Sequence, residues 1–169
     1  RPVSDTYFDD VSLLLHCDGS DGSTTFTDSS SAARTVTVLG DAQIDTTYKK
    51  WGTGGALFDG TGDGLTVATA AELHLSTGDF TIETWFRVTA NASAAMLLCF
   101  GNSSTMAWEL RVASAGPLRF EAYPFIADMT GGNVLTADGG SWSGNWHHAA
   151  VTRSGNTFRL FLNGVLGAS

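Results

Sequence analysis

Apolar residues along this chain come in short runs broken by Gly, Asp, Ser and Asn, with almost no helical periodicity, which is the pattern of β-strands joined by turns. It predicts strands over 11–16, 35–39, 56–58, 64–67, 80–88, 96–101, 108–112, 118–122, 146–152 and 157–162, with one helical turn around 70–75. Ten short strands in one domain imply an all-β sandwich or barrel. The longest strand, FTIETWFRV, alternates with period two, so Phe80, Ile82, Phe86 and Val88 are expected to face a core while Thr81, Glu83, Trp85 and Arg87 share the wetter face. Two hairpins are marked, one by Ser154-Gly155-Asn156 and one by Asn163-Gly164, a dipeptide suited to a turn with positive φ at both positions. The segment DGSDGSTTFTDSSS (18–31) reads as an ordered surface loop pinned by Phe26.

The 169 residues suffice for one domain with a sizeable core, and 43% hydrophobic against 15% charged residues excludes a disordered chain. No apolar run has the length of a membrane span, so membrane insertion is not expected. The absence of an initiator Met points to a processed or partial chain. A formal charge of −8 repels phosphate backbones and makes nucleic acid an unsuitable partner. Thirteen of the acids are Asp and four are Glu, again favouring turns over helices. Cys17 and Cys99 lie too far apart in sequence for a CxxC or zinc pattern, leaving two free thiols or one disulfide as the alternatives.

Four segments carry a family resemblance in their order and spacing. They are Ala56-Leu57-Phe58-Asp59-Gly60 with Gly62-Asp63-Gly64-Leu65-Thr66-Val67, Gly78-Asp79-Phe80-Thr81-Ile82-Glu83-Thr84-Trp85-Phe86-Arg87, Trp146-His147-His148-Ala149-Ala150-Val151-Thr152-Arg153, and Leu160-Phe161-Leu162-Asn163-Gly164. Together they resemble the laminin G-like branch of the concanavalin A-like lectin/glucanase superfamily, from about Ala56 to Gly164. The opening, Phe8-Asp9-Asp10-Val11-Ser12-Leu13-Leu14-Leu15-His16-Cys17-Asp18-Gly19 followed by Thr24-Thr25-Phe26-Thr27-Asp28-Ser29-Ser30, further resembles the version of this domain carried by tailed-bacteriophage structural proteins. The resemblance implies a two-sheet antiparallel jelly-roll sandwich spanning 1–169 as a single domain. It also implies that the strand family members carry after the Asn-Gly hairpin is truncated here, leaving 11–16 to be flanked by chain not given. The function implied is a non-enzymatic adhesion or decoration module in a multimeric virion or extracellular assembly, with virion proteins and host-surface glycans as partners. A module that only packs against other virion proteins is the alternative.

Glucanases of this fold need carboxylates flanking the glycosidic bond, and a Glu-x-Asp-x-x-Glu run would supply them. No such run exists: Glu83, Glu109 and Glu121 each stand among non-acidic neighbours along their strands, and pairing with cross-strand Arg on a solvated face is expected instead. His147 and His148 must point to opposite faces and cannot chelate one ion. Calcium is the one cofactor the resemblance brings in, with Asp59 and Asp63 beside Gly60-Thr61-Gly62 as its carboxylates; the alternative is that the same residues serve purely as an Asp-Gly turn. For a glycan, stacking aromatics and polar neighbours are wanted, which singles out Trp85, Glu83 and Arg87 on one strand face. Asn102, Asn145 and Trp142 join them in the loops, with Trp142 expected to be exposed between glycines.

Overall fold

The computed structural model describes residues 6–75, 78–88, 94–101, 107–113, 116–123, 134–137, 142 and 144–169. They divide into two compact units, Arg1–Leu73 and His74–Ser169. The fold is all-β: two three-residue 3-10 turns, Phe8–Asp10 and Ala71–Leu73, are the only helical elements among the described residues.

In the first unit, β1 (Val36–Leu39) pairs with β4 (Gly64–Val67), and β2 (Gln43–Asp45) with β3 (Gly55–Leu57), both antiparallel. Ile44 on β2 is fully buried, beside Ala42 and Phe26 in the buried set, and its backbone exchanges hydrogen bonds with the 18–31 loop, donating to Ser23 O and accepting from Gly22 N. Gly54 has to be glycine, because a Cβ there would lie 2.5 Å from Ile44 Cγ2. The loop is therefore ordered and Phe26 does anchor it, but its strongest tie is Asp28.

That carboxylate is 4% exposed and accepts four hydrogen bonds, from Leu14 N (2.9 Å), Ser30 N (2.9 Å), Ser30 Oγ (2.8 Å) and Arg34 N (2.8 Å). Burial pushes its pKa up, and the four donors more than reverse this, bringing it down to about 2. Here the expected strand over 11–16 is corrected. The segment makes one bridge, Leu15 to Asp28, while Leu14 N goes to the Asp28 side chain, Leu14 O accepts from Ser29 N, and Ser12 O accepts from Arg34 Nε (3.0 Å). Side chains have taken up its backbone polar groups in place of a ladder. Arg34 is held in turn by an ion pair with Glu72.

The second unit is the sandwich. Its strands are β5 (Phe80–Arg87), β6 (Ala94–Phe100), β7 (Trp108–Ala113), β8 (Leu118–Ala122), β9 (Val134–Ala137), β10 (Trp146–Ser154), β11 (Thr157–Leu162) and β12 (Val165–Ala168). One four-stranded sheet has the order β12-β11-β10-β5 and the other β6-β7-β8-β9, all antiparallel. Strand alternation places Leu110, Leu118, Phe120, Ala149, Val151 and Leu160 in the core between the sheets, each fully buried. On β5 the expected register holds: Phe86 is buried in that core with Phe80, Ile82 and Val88 against it, while Thr81, Glu83 and Trp85 are exposed. Strands β2 and β9 were not expected, and β12, where only the beginning of a strand was expected after the Asn-Gly turn, pairs with β11.

The β9 and β12 ends of the two sheets close on each other. A Cβ at Gly167 would lie 2.8 Å from Ala137 Cα, so only glycine lets the backbones approach this far. The hairpin between β11 and β12 turns through Asn163 (φ 51°) and Gly164 (φ 79°), the double positive φ that the dipeptide predicts. Asn163 also clasps β10: its Oδ1 accepts from His148 N (2.9 Å), and its Nδ2 donates to His147 Nδ1 (3.3 Å).

Two measurements check this architecture. Phe86→Ala should destabilise the protein by about 3–5 kcal/mol in denaturant unfolding, as expected for a buried aromatic ring. Because the Asp28 pKa in the folded state lies below the ordinary value of 3.8, its contribution is fully present above about pH 4 and is lost as pH falls towards 2. Asp28→Asn should therefore flatten the acid limb of the stability curve, and an unchanged limb would show that this carboxylate does not carry it.

Candidate functional site

The solvent-facing side of β5 and β10 gathers most of the residues expected to contact a ligand. In the β5–β10 register, Trp85 lies opposite His148, Arg87 opposite Trp146, and Glu83 opposite Ala150, so their side chains share one face. Trp85 is 40% exposed, and its ring packs tilted against His148 with centroids 5.0 Å apart. His148 Nε2 is 3.4 Å from Glu83 Oε2, on a carboxylate that is mostly in water. Arg87 Nε donates to Gly144 O (3.0 Å), and Gly144 N donates to Val88 O, so Arg87 fixes the loop that presents the exposed Asn145. An aromatic ring, a carboxylate, an imidazole and an amide thus lie along one strand pair.

Trp142 does not belong to this surface. It is 3% exposed, its Nε1 donates to Gly116 O (2.7 Å), and it packs against Phe86 (5.5 Å) and His147 (5.1 Å). The expectation of an exposed ring is corrected. Flanking glycines do leave a tryptophan uncovered locally, but they also let the chain fold the ring inward to its one polar partner. Asn102 lies outside the described residues.

The two histidines part as alternation requires. While His148 faces out, His147 sits inside against Phe86 (5.6 Å) and Trp142, and burial lowers its pKa. With Asn163 donating to Nδ1, the ring proton is on Nε2, which has no hydrogen-bond partner among the described residues.

A charged cluster that reading along single strands missed lies on the outer face of the other sheet. Glu109 is directly opposite Glu121, and Arg111 bridges them, with Nε 2.8 Å from Glu109 Oε1 and Nη2 2.6 Å from Glu121 Oε1. Arg119 lies 3.8 Å from Glu121, and Tyr123 Oη is 3.5 Å from its other oxygen. Glu109 is buried, so the expected solvated face is wrong for it. Contact with Glu121 raises the Arg111 pKa against the opposing effect of burial, and burial with the Glu109 charge raises Tyr123. The only signal available in sequence was the strand register, which cannot be read without the β7–β8 turn. The guanidinium holds both carboxylates together as an ion-pair cluster.

In the first unit, Asp59 and Asp63 are joined by Asp41, the carboxylate oxygens of all three lying within 4.8 Å of one another. Asp63 organises the turn, accepting from Asp59 N (2.8 Å) and Asp41 N (2.9 Å), and Gly40 (φ 66°) leaves no room for a Cβ beside it. The bond from Asp59 N lowers the Asp63 pKa, while the neighbouring Asp63 carboxylate raises that of Asp41. Three hard oxygen donors fit the chemistry of calcium, and these are the residues that would hold it. Cys17 and Cys99 are both free thiols, and burial raises each pKa.

Two four-stranded antiparallel sheets packed over one core define a jelly-roll sandwich. The chain belongs to the laminin G type 3 family of the concanavalin A-like lectin/glucanases superfamily, whose model matches residues 59–169. Among solved structures it is similar to an S-layer domain-containing protein (residues 221–444) from Clostridium thermocellum ATCC 27405. The identity is 21% over 91% of this chain and 69% of that one, with a TM-score of 0.56, a likeness of fold. No curated protein sequence matches.

An acid titration followed by carboxyl carbon-13 shifts should place the Asp63 midpoint below, and the Asp41 midpoint above, the ordinary aspartate value of 3.8. Coincident midpoints would show that the Asp63 carboxylate does not act on Asp41.

Proposed function

We propose that this domain is a non-enzymatic adhesion or decoration module, displayed on the outside of a particle or cell envelope, that makes weak multivalent contacts with surface glycans. The observation that carries the reading is Trp85, a 40% exposed ring held on a regular strand pair with Glu83 and His148 beside it. A flat aromatic face stacks on the C–H face of a sugar, and neighbouring carboxylate and imidazole groups orient its hydroxyls. A rigid sheet presents them at little entropic cost. Each contact is weak, so useful attachment comes from repetition on a multimeric support.

The resemblance of residues 8–19 and 24–30 to tailed-phage structural proteins favours a virion as that support, with virion proteins as partners, and the S-layer neighbour accords with display at a surface. Hydrolysis is not part of the proposal. A retaining glycosidase needs two carboxyl groups about 5–5.5 Å apart with the substrate between them. Here the Arg111 guanidinium contacts both Glu109 and Glu121.

A multimeric form of the chain on a glycan array tests this. Binding is expected, with loss of about tenfold in avidity for Trp85→Ala, the scale of one lost stacking contact repeated over several copies. Absence of binding to any glycan would favour a module that acts by packing alone.

A further inference from the structure

Of the six asparagines in the chain, only Asn163 precedes a glycine; the others are followed by Ala92, Ser103, Val134, Trp146 and Thr157. That dipeptide has a chemistry of its own. The peptide nitrogen after an asparagine can attack the side-chain carbonyl, and a glycine at that position has no Cβ to hinder the approach. The bond from Gly164 N to Asn163 Cγ forms, the Cγ–Nδ2 bond breaks, and the amide leaves as ammonia with the peptide proton. Water then opens the five-membered imide to aspartate or isoaspartate, so the sequence of steps needs no oxidant and no cofactor.

The fold decides when these steps can occur. Asn163 and Gly164 are both exposed, and a Cβ at Gly164 would meet nothing within 4 Å, so water and base reach the turn freely. The Asn163 side chain, however, is committed to β10. Its Oδ1 accepts from His148 N (2.9 Å), its Nδ2 donates to His147 Nδ1 (3.3 Å), and its backbone N donates to His148 O (2.8 Å). With both ends of the amide held against β10, Cγ cannot swing onto Gly164 N until those bonds break. The strand order β12-β11-β10-β5 puts the hairpin at the end of its sheet, where it can open without unfolding the core.

We propose that Asn163 is a deamidation site sealed by its clasp on His147 and His148: the closed hairpin keeps its amide and the opened hairpin loses it. The loss runs one way. Isoaspartate adds a backbone carbon to a two-residue turn, which takes β12 out of register with β11 and draws Gly167 away from Ala137. A transient opening at the sheet end is thereby made permanent. The proposal is independent of any saccharide ligand.

The test incubates the whole chain in mildly alkaline buffer, folded and in urea, and follows ammonia release and peptide masses. In urea, Asn163 should lose its amide before any other asparagine, and in the folded chain the loss should be slower by about tenfold or more, the scale of two hydrogen bonds that must break first. His147→Phe keeps a ring against Phe86 and Trp142 while removing the Nδ1 acceptor, and should speed the loss about fivefold in protein whose melting curve shows it folded. Asn163→Gly should abolish the early ammonia release. Equal rates in folded and unfolded chain, first loss at another asparagine in urea, or a folded His147→Phe that deamidates no faster than the parent would overturn the proposal. If His147→Phe does not fold, the comparison of the parent with and without urea decides alone.

Discussion

The sandwich depends on β10 being paired on both sides. Its register with β5 runs from Trp146↔Arg87 to Arg153↔Phe80, and with β11 from Ala149↔Leu162 to Ser154↔Thr157. Because side chains alternate, these two registers together decide that Ala149 and Val151 enter the core while His148 faces water. A slip of one residue would bury Glu83 and His148 and expose Phe86. The candidate ligand surface is thus the necessary reverse of the hydrophobic core, and a residue on either face constrains the other.

What could be read from the sequence was what depends on local rules. Alternation along FTIETWFRV is long enough to specify faces unaided, Asn163-Gly164 encodes its own turn, and the glycine-separated runs are enough for an all-β assignment. What escaped depends on partners distant in the chain. The apolar run at 11–16 has every local mark of a strand, yet Asp28 and Arg34 compete successfully for its backbone. Glu109 and Glu121 look isolated along their own strands and are neighbours only across the β7–β8 ladder. Trp142 looks exposed because its neighbours are small, although its burial is decided by Phe86 and His147. In the site, Glu83, Trp85 and Arg87 were visible because one strand carries all three; Asp41 was not, because it meets Asp59 and Asp63 only through the pairing of β1 with β4.

The abundance of aspartate has a physical reading that net charge alone conceals. Asp18, Asp21, Asp28, Asp45, Asp59, Asp63 and Asp79 all accept backbone N–H groups of loops or turns. A carboxylate that accepts such bonds satisfies donors that a turn leaves without partners, so much of the negative charge is scaffolding for irregular backbone. That arrangement gives the irregular loops of the first unit a fixed setting.

Asn163 shows how tightly two kinds of information can be compressed into one position. Its backbone is in the left-handed region, where glycine would be relaxed, yet its side-chain amide ties down both His147 and His148. Glycine would ease the turn and cut the clasp; alanine would strain the turn and cut it too. Sequence drift at this site is therefore channelled: aspartate keeps the turn and the acceptor for His148 N but loses the amide donor to the half-buried His147 imidazole. A family member with another residue here must have re-solved the histidine's environment at the same time, so the pair should change together or not at all.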